Sequence, residues 1–90
     1  MASAPGTLRL LWFAWLRERV GTAEEVVALP PEVRTVGDLV AWLRARSPGH
    51  DAAFAAGATI RCAVNQHFAG LEAPVAAGDE VAFFPPVTGG

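Results

Sequence analysis

The chain ends in EVAFFPPVTGG, residues 80–90, which joins a strand-like segment to two prolines and a terminal pair of glycines. Proline has a fixed φ and no backbone N–H, so Pro85 and Pro86 should end strand pairing and keep the chain extended. Gly89 and Gly90 carry no Cβ and can pass through a channel too narrow for other side chains. The sequence therefore predicts a thin, directed tail that bears one free carboxylate, on Gly90.

A terminal carboxylate becomes reactive once it is activated. It is a poor electrophile, but joining it to AMP makes a mixed anhydride that a sulfur nucleophile can attack to leave a thiocarboxylate. Glycine suits this chemistry because its reacting carbon is unhindered and can closely approach another protein's groups. A glycine pair alone is equally compatible with a frayed terminus that has no function. The rigid Pro85–Pro86 pair directly upstream favours the directed tail.

The histidines and the cysteine offer little catalytic chemistry. His50 and His67 have no second histidine or cysteine at metal-ligand spacing, so both are interpreted as surface or loop histidines and no metal site is expected. The single cysteine, Cys62, falls in strand phase between Ile60 and Val64. It is therefore predicted to be a buried, inert thiol rather than a sulfur carrier.

The carboxylates likewise lack the surroundings of a catalytic acid or base. They have no apolar pocket that could make one of them a general acid, and they are interpreted as solvated surface. The residues concerned are Glu18, Glu24, Glu25, Asp79 and Glu80. No glycine-rich loop between a strand and a helix is suited to hold phosphate. The chain is therefore not expected to be an enzyme on its own.

Composition places the chain among small globular domains. Its 90 residues are enough for one domain, and 52% hydrophobic residues against 18% charged exclude wholesale disorder. Seven basic and nine acidic residues give a net charge of −2 without a basic stripe, so no nucleic-acid partner is expected. One cysteine cannot form an internal disulfide, which makes the cytoplasm the expected location. No segment is long enough to span a bilayer, and Arg9 interrupts the early apolar run, so neither a membrane partner nor a signal peptide is expected.

Hydrophobic periodicity indicates an α+β domain. The first third of the chain predicts a strand over 7–13, a short helix over 14–21 and a strand over 23–31. The clearest helix follows over 35–49, where Thr35 is the N-cap and Asp38 can return a hydrogen bond to it. Its apolar stripe is formed by Val36, Leu39, Val40 and Leu43.

The second half of the chain predicts further strands. Residues 50–58 are interpreted as a surface segment with a turn of helix, 59–65 as a strand, 66–79 as short irregular structure with a turn at Gly78–Asp79, and 80–84 as the last strand. In that strand, alternation places Val81 and Phe83 in the core, while Ala82 and Phe84 point to the opposite face.

Four stretches resemble the family of small, sulfur-carrier subunits of molybdopterin synthase. They are FAWLRERVG at 13–21, TVGDLVAWL at 35–43, AVNQ at 63–66 and GDEVAFFPPVTGG at 78–90. The resemblance implies a β-grasp, or ubiquitin-like, fold: a mixed sheet crossed by one main helix, with the first and last strands parallel in its middle. The expected organisation is a flexible N-terminus at 1–6, a β-grasp domain at 7–84 and an extended reactive tail at 85–90.

The resemblance also implies a function for the tail. An ATP-dependent enzyme would adenylate Gly90, which would then become a thiocarboxylate and donate sulfur to a cyclic pterin precursor inside the large catalytic subunit. Gly89 would thread the channel of that subunit, and the tail would be guided and docked by Phe84, Pro85, Pro86, Val87 and Thr88. The family implies a heterotetramer and no permanently bound cofactor, only a transient AMP adduct and the thiocarboxylate sulfur. Thr88 departs from the family pattern, which commonly has a smaller residue there.

Three alternatives share parts of this pattern. A sulfur carrier for thiamine or amino-acid biosynthesis would use the same glycine pair, although the stretch at 13–21 favours molybdopterin. A ubiquitin-like modifier would join Gly90 to lysines of target proteins. A passive β-grasp binding module would tolerate loss of Gly89 and Gly90.

Overall fold

A computed structural model describes residues 6–55 and 59–86, and the predicted segments at the two chain ends lie partly outside these ranges. The elements are β1 (Thr7–Trp12), α1 (Trp15–Val20), β2 (Glu24–Ala28), α2 (Val36–Arg46), α3 (Pro48–Ala55), β3 (Arg61–Val64), β4 (His67–Ala69) and β5 (Glu80–Phe84). No helix within the described ranges has the length and apolar character needed to cross a bilayer.

The five strands form one mixed sheet in the order β2-β1-β5-β3-β4. The first and last strands are parallel neighbours, and every other pairing is antiparallel. Since β1 and β5 each have a strand on both sides, their backbone groups are paired in the interior of the sheet. The predicted β-grasp arrangement is confirmed.

The core lies between one face of the sheet and the helices. Leu8, Leu10 and Trp12 of β1 point into it, together with Val81 and Phe83 of β5. The helices contribute the buried side chains of Leu16, Val36, Leu39, Leu43 and Ala53. The opposite face of the sheet, which none of the three helices in the described ranges covers, is called the outer face below.

The main helix begins where the sequence predicts. Thr35 Oγ1 accepts from the Asp38 backbone N–H at 3.1 Å, and Asp38 Oδ2 accepts from the Thr35 N–H at 3.3 Å, which is a complete capping box. The helix ends at Arg46, because Ser47 is extended ahead of Pro48.

One helix is longer than predicted. The segment interpreted as surface with a turn of helix is part of α3, an eight-residue helix that buries His50 and Ala53. Pro48 occupies its first position, where no backbone N–H is needed, and Ser47 Oγ accepts from the His50 N–H at 3.1 Å. Gly49 allows close packing on α1, since an added Cβ would lie 2.9 Å from the Arg19 carbonyl oxygen.

One strand is absent from the sequence prediction. Residues 67–69, interpreted as irregular, form β4, which pairs with β3 through a turn at Asn65–Gln66. Both turn residues have positive φ, 50° and 71°, as a tight hairpin turn requires. The Asn65 side chain holds the turn against β5, because its Oδ1 accepts from the Glu80 N–H at 3.0 Å.

The prediction that His50 is a surface or loop histidine is wrong, and Glu25, predicted to be solvated surface, is half-buried. His50 is buried, with Nδ1 2.6 Å from Ser47 Oγ and Nε2 2.7 Å from Glu25 Oε2. The same carboxylate oxygen accepts from Trp12 Nε1 at 2.9 Å. Alternation along β2 places Glu25 beside Leu10 on the core side, where the two ring N–H groups satisfy the carboxylate. The network ties β1, β2 and α3 together.

Removing the shared acceptor of this network should destabilise the domain. We expect Glu25→Ala to lower the free energy of unfolding by about 1–3 kcal/mol, because Trp12 and His50 would each keep a ring N–H without its partner. The matched control is Glu24→Ala, which removes an exposed ion pair with Arg9 and should cost less than about 0.5 kcal/mol. Urea unfolding followed by tryptophan fluorescence measures both, and equal losses in the two variants would contradict the role given to Glu25.

Candidate functional site

The strand that leads to the tail is fixed by the core. The Phe83 ring stacks on Trp12 with centroids 4.9 Å apart and meets Phe54 edge-on at 5.3 Å. Its carbonyl oxygen accepts from the N–H of Phe13, the residue after the end of β1, at 3.2 Å. Phe83 is 1% exposed, so the last strand cannot shift without disturbing the centre of the core.

The sheet pairing of β5 ends at Phe84, where the two prolines begin. Pro85 and Pro86 are half-buried and have no N–H to extend the ladder toward β1 or β3. The chain therefore leaves the sheet at a defined point in its middle. Val87, Thr88, Gly89 and Gly90 lie outside the described residues, and the roles given to them from the sequence stay predictions.

An apolar surface on the outer face adjoins the exit of the tail. Phe84 is half-buried and its ring centroid is 6.0 Å from that of Phe68, which is 86% exposed. Together with Arg61 and Pro86 these rings line a shallow cleft. Ala63 pairs with Phe68 and with Ala82, and Ala82 pairs with Leu11, so these residues extend the same apolar face across the sheet. We call Arg61, Phe68, Phe84 and Pro86 the exit patch.

The exit patch has the character of a contact surface. A phenylalanine exposed to the extent of Phe68, next to a second aromatic ring and a proline, is typical of a site that another protein covers. Sequence reasoning selected Phe84 and the prolines but missed Phe68, which it placed in irregular structure. The register of a hairpin turning at Asn65–Gln66 would have placed Phe68 on the same face as Ala63.

Cys62 is separate from the tail and has the chemistry of a core residue. It is 8% exposed and lies on the core side of β3, paired with Phe83 of β5. Burial raises the pKa of its thiol from 9.0 to about 11, so the nucleophilic thiolate is scarce at neutral pH. The predicted core position of Cys62 is confirmed. The predicted surface position of His67 is confirmed as well, and the described part of the chain holds no cluster of three or more His, Cys, Asp or Glu side chains suited to a metal ion.

The buried thiol should be unreactive in the folded chain. At pH 8 the shift of the pKa to about 11 lowers the thiolate fraction about 100-fold relative to the ordinary thiol. We expect labelling of native Cys62 by a disulfide reagent to be at least that much slower than labelling of the urea-unfolded chain, which is the control. Cys62→Ala should cost about 1 kcal/mol of stability, as a small core truncation does. Comparable labelling rates in the folded and unfolded chains would contradict the core assignment.

Known proteins share both the sequence and the fold. A model of the ThiS family matches residues 10–90, a range that includes the tail. The molybdopterin synthase sulfur carrier subunit of Escherichia coli is 44% identical over 89 residues, covering 92% of this chain and 99% of that protein. The protein of the same name from Haemophilus influenzae is 36% identical over 83 residues, with the same two coverages.

Solved structures agree with this relationship. The crystal structure of small archaeal modifier protein 1 from Haloferax volcanii superimposes with a TM-score of 0.73 at 30% identity, covering 91% of this chain and 99% of that one. The resemblance found in the sequence motifs is therefore confirmed by whole-chain comparison. Since the family model covers nearly the entire chain through Gly90, the chain belongs to the ThiS family.

Proposed function

We propose that this chain is the sulfur carrier subunit of a molybdopterin synthase, and that it donates sulfur without being an enzyme on its own. The observation that carries the proposal is the 44% identity to a sulfur carrier subunit of that synthase, of which 99% is covered. The same observation favours molybdopterin over thiamine or amino-acid biosynthesis as the destination of the sulfur.

The chemistry would take place at the carboxylate of Gly90. One carboxylate oxygen attacks the α-phosphorus of ATP, pyrophosphate leaves, and an acyl adenylate forms. The terminal sulfur of a persulfide donor then attacks the carbonyl carbon, AMP leaves, and an acyl disulfide forms. A second thiol attacks the donor's sulfur in this S–S bond, which releases the thiocarboxylate and leaves a disulfide between the thiol and the donor. No permanently bound cofactor is required of this chain. The energy of ATP makes an otherwise unreactive carboxylate able to accept sulfur.

Tail length limits where the partner can bind. Four residues follow Pro86, and even fully extended they span at most about 14 Å. An active site that takes up Gly90 must therefore lie within that distance of Pro86, and the partner that contains it must cover or adjoin the exit patch. A large catalytic subunit docked on Phe68 and Phe84 meets this requirement. We propose a heterotetramer of two chains of each kind.

The activating enzyme would be subject to the same limit on the distance between its active site and Pro86. It must bring ATP to the same carboxylate, so it too must approach the surface around Pro86. Two proteins that need one tail and one exit patch exclude each other, and we propose that they bind in succession. Adenylation and sulfur donation would then occur in separate complexes, both in the cytoplasm, where ATP is available.

A second candidate function is protein modification. It is favoured by the likeness to small archaeal modifier protein 1, at 30% identity over nearly the whole chain. As a modifier, the chain would form an amide between Gly90 and a target lysine. Proteolysis of cell extracts followed by mass spectrometry separates the two functions: lysines carrying a remnant of the tail indicate a modifier, and a free thiocarboxylate on Gly90 indicates a carrier.

The position of the terminal carboxylate should decide activity. Removing Gly90 leaves a carboxylate about 3.5 Å short of the partner's reacting groups, and adding one residue after Gly90 turns its carbonyl into an amide. Gly89→Val keeps the carboxylate in place but adds a side chain that would obstruct the tail in a narrow channel of the partner. We expect the shortened and extended forms to acquire no sulfur, and Gly89→Val to impair donation to the precursor, while all three fold normally.

The measurement is the intact mass of each variant after incubation with the activating enzyme, ATP and a sulfur donor. Wild type should exchange one terminal oxygen for sulfur, and so should a control with one residue added before Met1. Normal sulfur acquisition by the chain lacking Gly90 would contradict the proposed chemistry.

The exit patch should supply the binding energy for the large subunit. We expect Phe68→Asp and Phe84→Asp to weaken the complex by about 30-fold, because each places a charge in the centre of the contact, where truncation of an aromatic anchor costs about 2 kcal/mol or more. The control is Val26→Asp, which also alters an exposed outer-face residue but lies at the opposite end of the sheet, beside Arg9. It should change the dissociation constant less than about threefold.

Isothermal titration calorimetry gives the affinities, and the melting temperature of each free variant checks folding. Two results together would contradict this role: a strongly lowered melting temperature for Phe84→Asp, and wild-type affinity for Phe68→Asp. The patch would then belong to the fold and not to the interface.

A further inference from the structure

The exit patch contains one charged residue, Arg61. It begins β3 and pairs in register with Phe84 of β5, so its side chain lies on the outer face next to that ring. It lines the cleft together with Phe68 and Pro86. A guanidinium therefore sits within the apolar surface closest to the point where the tail leaves the domain.

Arg61 has no acidic partner among the residues that the structure describes. The arginine ion pairs found there use other arginines: Arg9 with Glu24 and Glu80, Arg44 with Asp51, and Arg46 with Glu25. Arg9 offers the direct comparison, because it lies on the same outer face. Its Nε is 3.0 Å from Glu24 Oε2, while Arg61 is exposed at a cleft that it lines with Phe68, Phe84 and Pro86.

This difference matters once the outer face is covered. In the free chain Arg61 is exposed and hydrated, so the missing partner costs little. A protein that buries Phe68 and Phe84 must also remove water from Arg61, and an unpaired buried charge costs several kcal/mol. A purely apolar partner surface would bind this patch poorly. A carboxylate placed opposite the guanidinium would offset the loss of water through two parallel N–H···O bonds.

We propose that the large subunit presents an aspartate or glutamate to Arg61, and that this ion pair sets the orientation in which the two proteins dock. The inference rests on the proposed function, since it specifies the chemistry of the partner at the same patch. Apolar contacts with Phe68 and Phe84 are non-directional. A guanidinium, in contrast, donates two parallel hydrogen bonds to a carboxylate only in a narrow range of geometries. Arg61 is two strand positions before Ala63 and directly beside Phe84, so a pair formed here orients the partner relative to the first residue of the tail.

Two other roles would account for an arginine at this position. It could keep the exposed apolar face from associating with other copies of the chain, as charged residues do on exposed sheet surfaces. It could also hold the chain's own terminal carboxylate when no partner is bound. Both roles predict a response to substitution different from that of an intermolecular ion pair.

The experiment measures the affinity of the thiocarboxylate-free chain for the large subunit by titration calorimetry at low and at moderate salt. Arg61→Leu should raise the dissociation constant by about 30-fold or more, because the partner's carboxylate would be buried without a counter-charge. Arg61→Glu should weaken binding further, and Arg61→Lys by less than about tenfold, since lysine keeps the charge but not the fork. The matched control, Arg44→Leu, removes an exposed pair on the helix side and should bind as wild type.

A second measurement identifies the acidic residue of the large subunit that pairs with Arg61. Each acidic residue on the surface of the large subunit is changed to lysine, and at least one of these variants should bind Arg61→Glu better than it binds the wild-type chain. Melting temperatures and oligomeric states of the free Arg61 variants are recorded alongside, and all should match wild type.

The outcomes separate this inference from the function on which it rests. If Arg61→Leu binds as well as wild type and self-associates, the arginine only prevents association, and the inference is overturned. Tighter binding by Arg61→Leu would mean that Arg61 holds the free tail, which also overturns it. If the wild-type chain itself neither binds the large subunit nor acquires sulfur, the proposed function fails and the inference fails with it.

Discussion

The parallel pairing of β1 with β5 in the middle of the sheet is the constraint on which the rest of the structure depends. It brings the two ends of the domain sequence together and leaves the last strand enclosed by neighbours on both sides. The Trp12–Phe83 stack then locks that pairing to the core. The core therefore fixes the position of Phe84, the last residue of the sheet before the prolines.

The last strand divides its side chains between the core and the outer face. Val81 and Phe83 are buried in the core, while Phe84, one residue further, is turned to the outer face beside Phe68. A single peptide unit thus separates a core residue from an outer-face residue. The prolines that follow end the ladder without adding a donor that would need a partner. Under the proposed function, this separation would let the tail be altered chemically without loss of stability.

The amino-acid sequence predicted most of the fold from periodicity and caps. The strands with strong alternation, the capping box of α2 and the burial of Cys62 follow from local rules. The elements it missed depend on distant contacts. Helix α3 is stabilised where Gly49 lies against α1, and β4 is only three residues long and is defined by its pairing with β3. His50 is buried and Glu25 half-buried because each satisfies the other across 25 residues of sequence, which no local pattern reveals.

The sequence likewise predicted only part of the candidate site. The prolines and Phe84 stand out because of their composition and their place beside the glycine pair. Phe68 and Arg61 come to the exit patch only through strand register, since neither lies within 15 residues of Pro86 in the sequence. Under the proposed function, Phe68 and Arg61 would add a docking surface to the chemistry proposed for Gly90.

The most direct test of this account is the transfer of sulfur itself. The thiocarboxylate form of the chain is mixed with its large subunit and the cyclic pterin precursor, and the intact mass of the chain is followed with time. The account predicts that sulfur leaves Gly90 and a carboxylate returns only when the large subunit and the precursor are both present. Retention of the sulfur in the complete mixture, or its equal loss without the precursor, would contradict it.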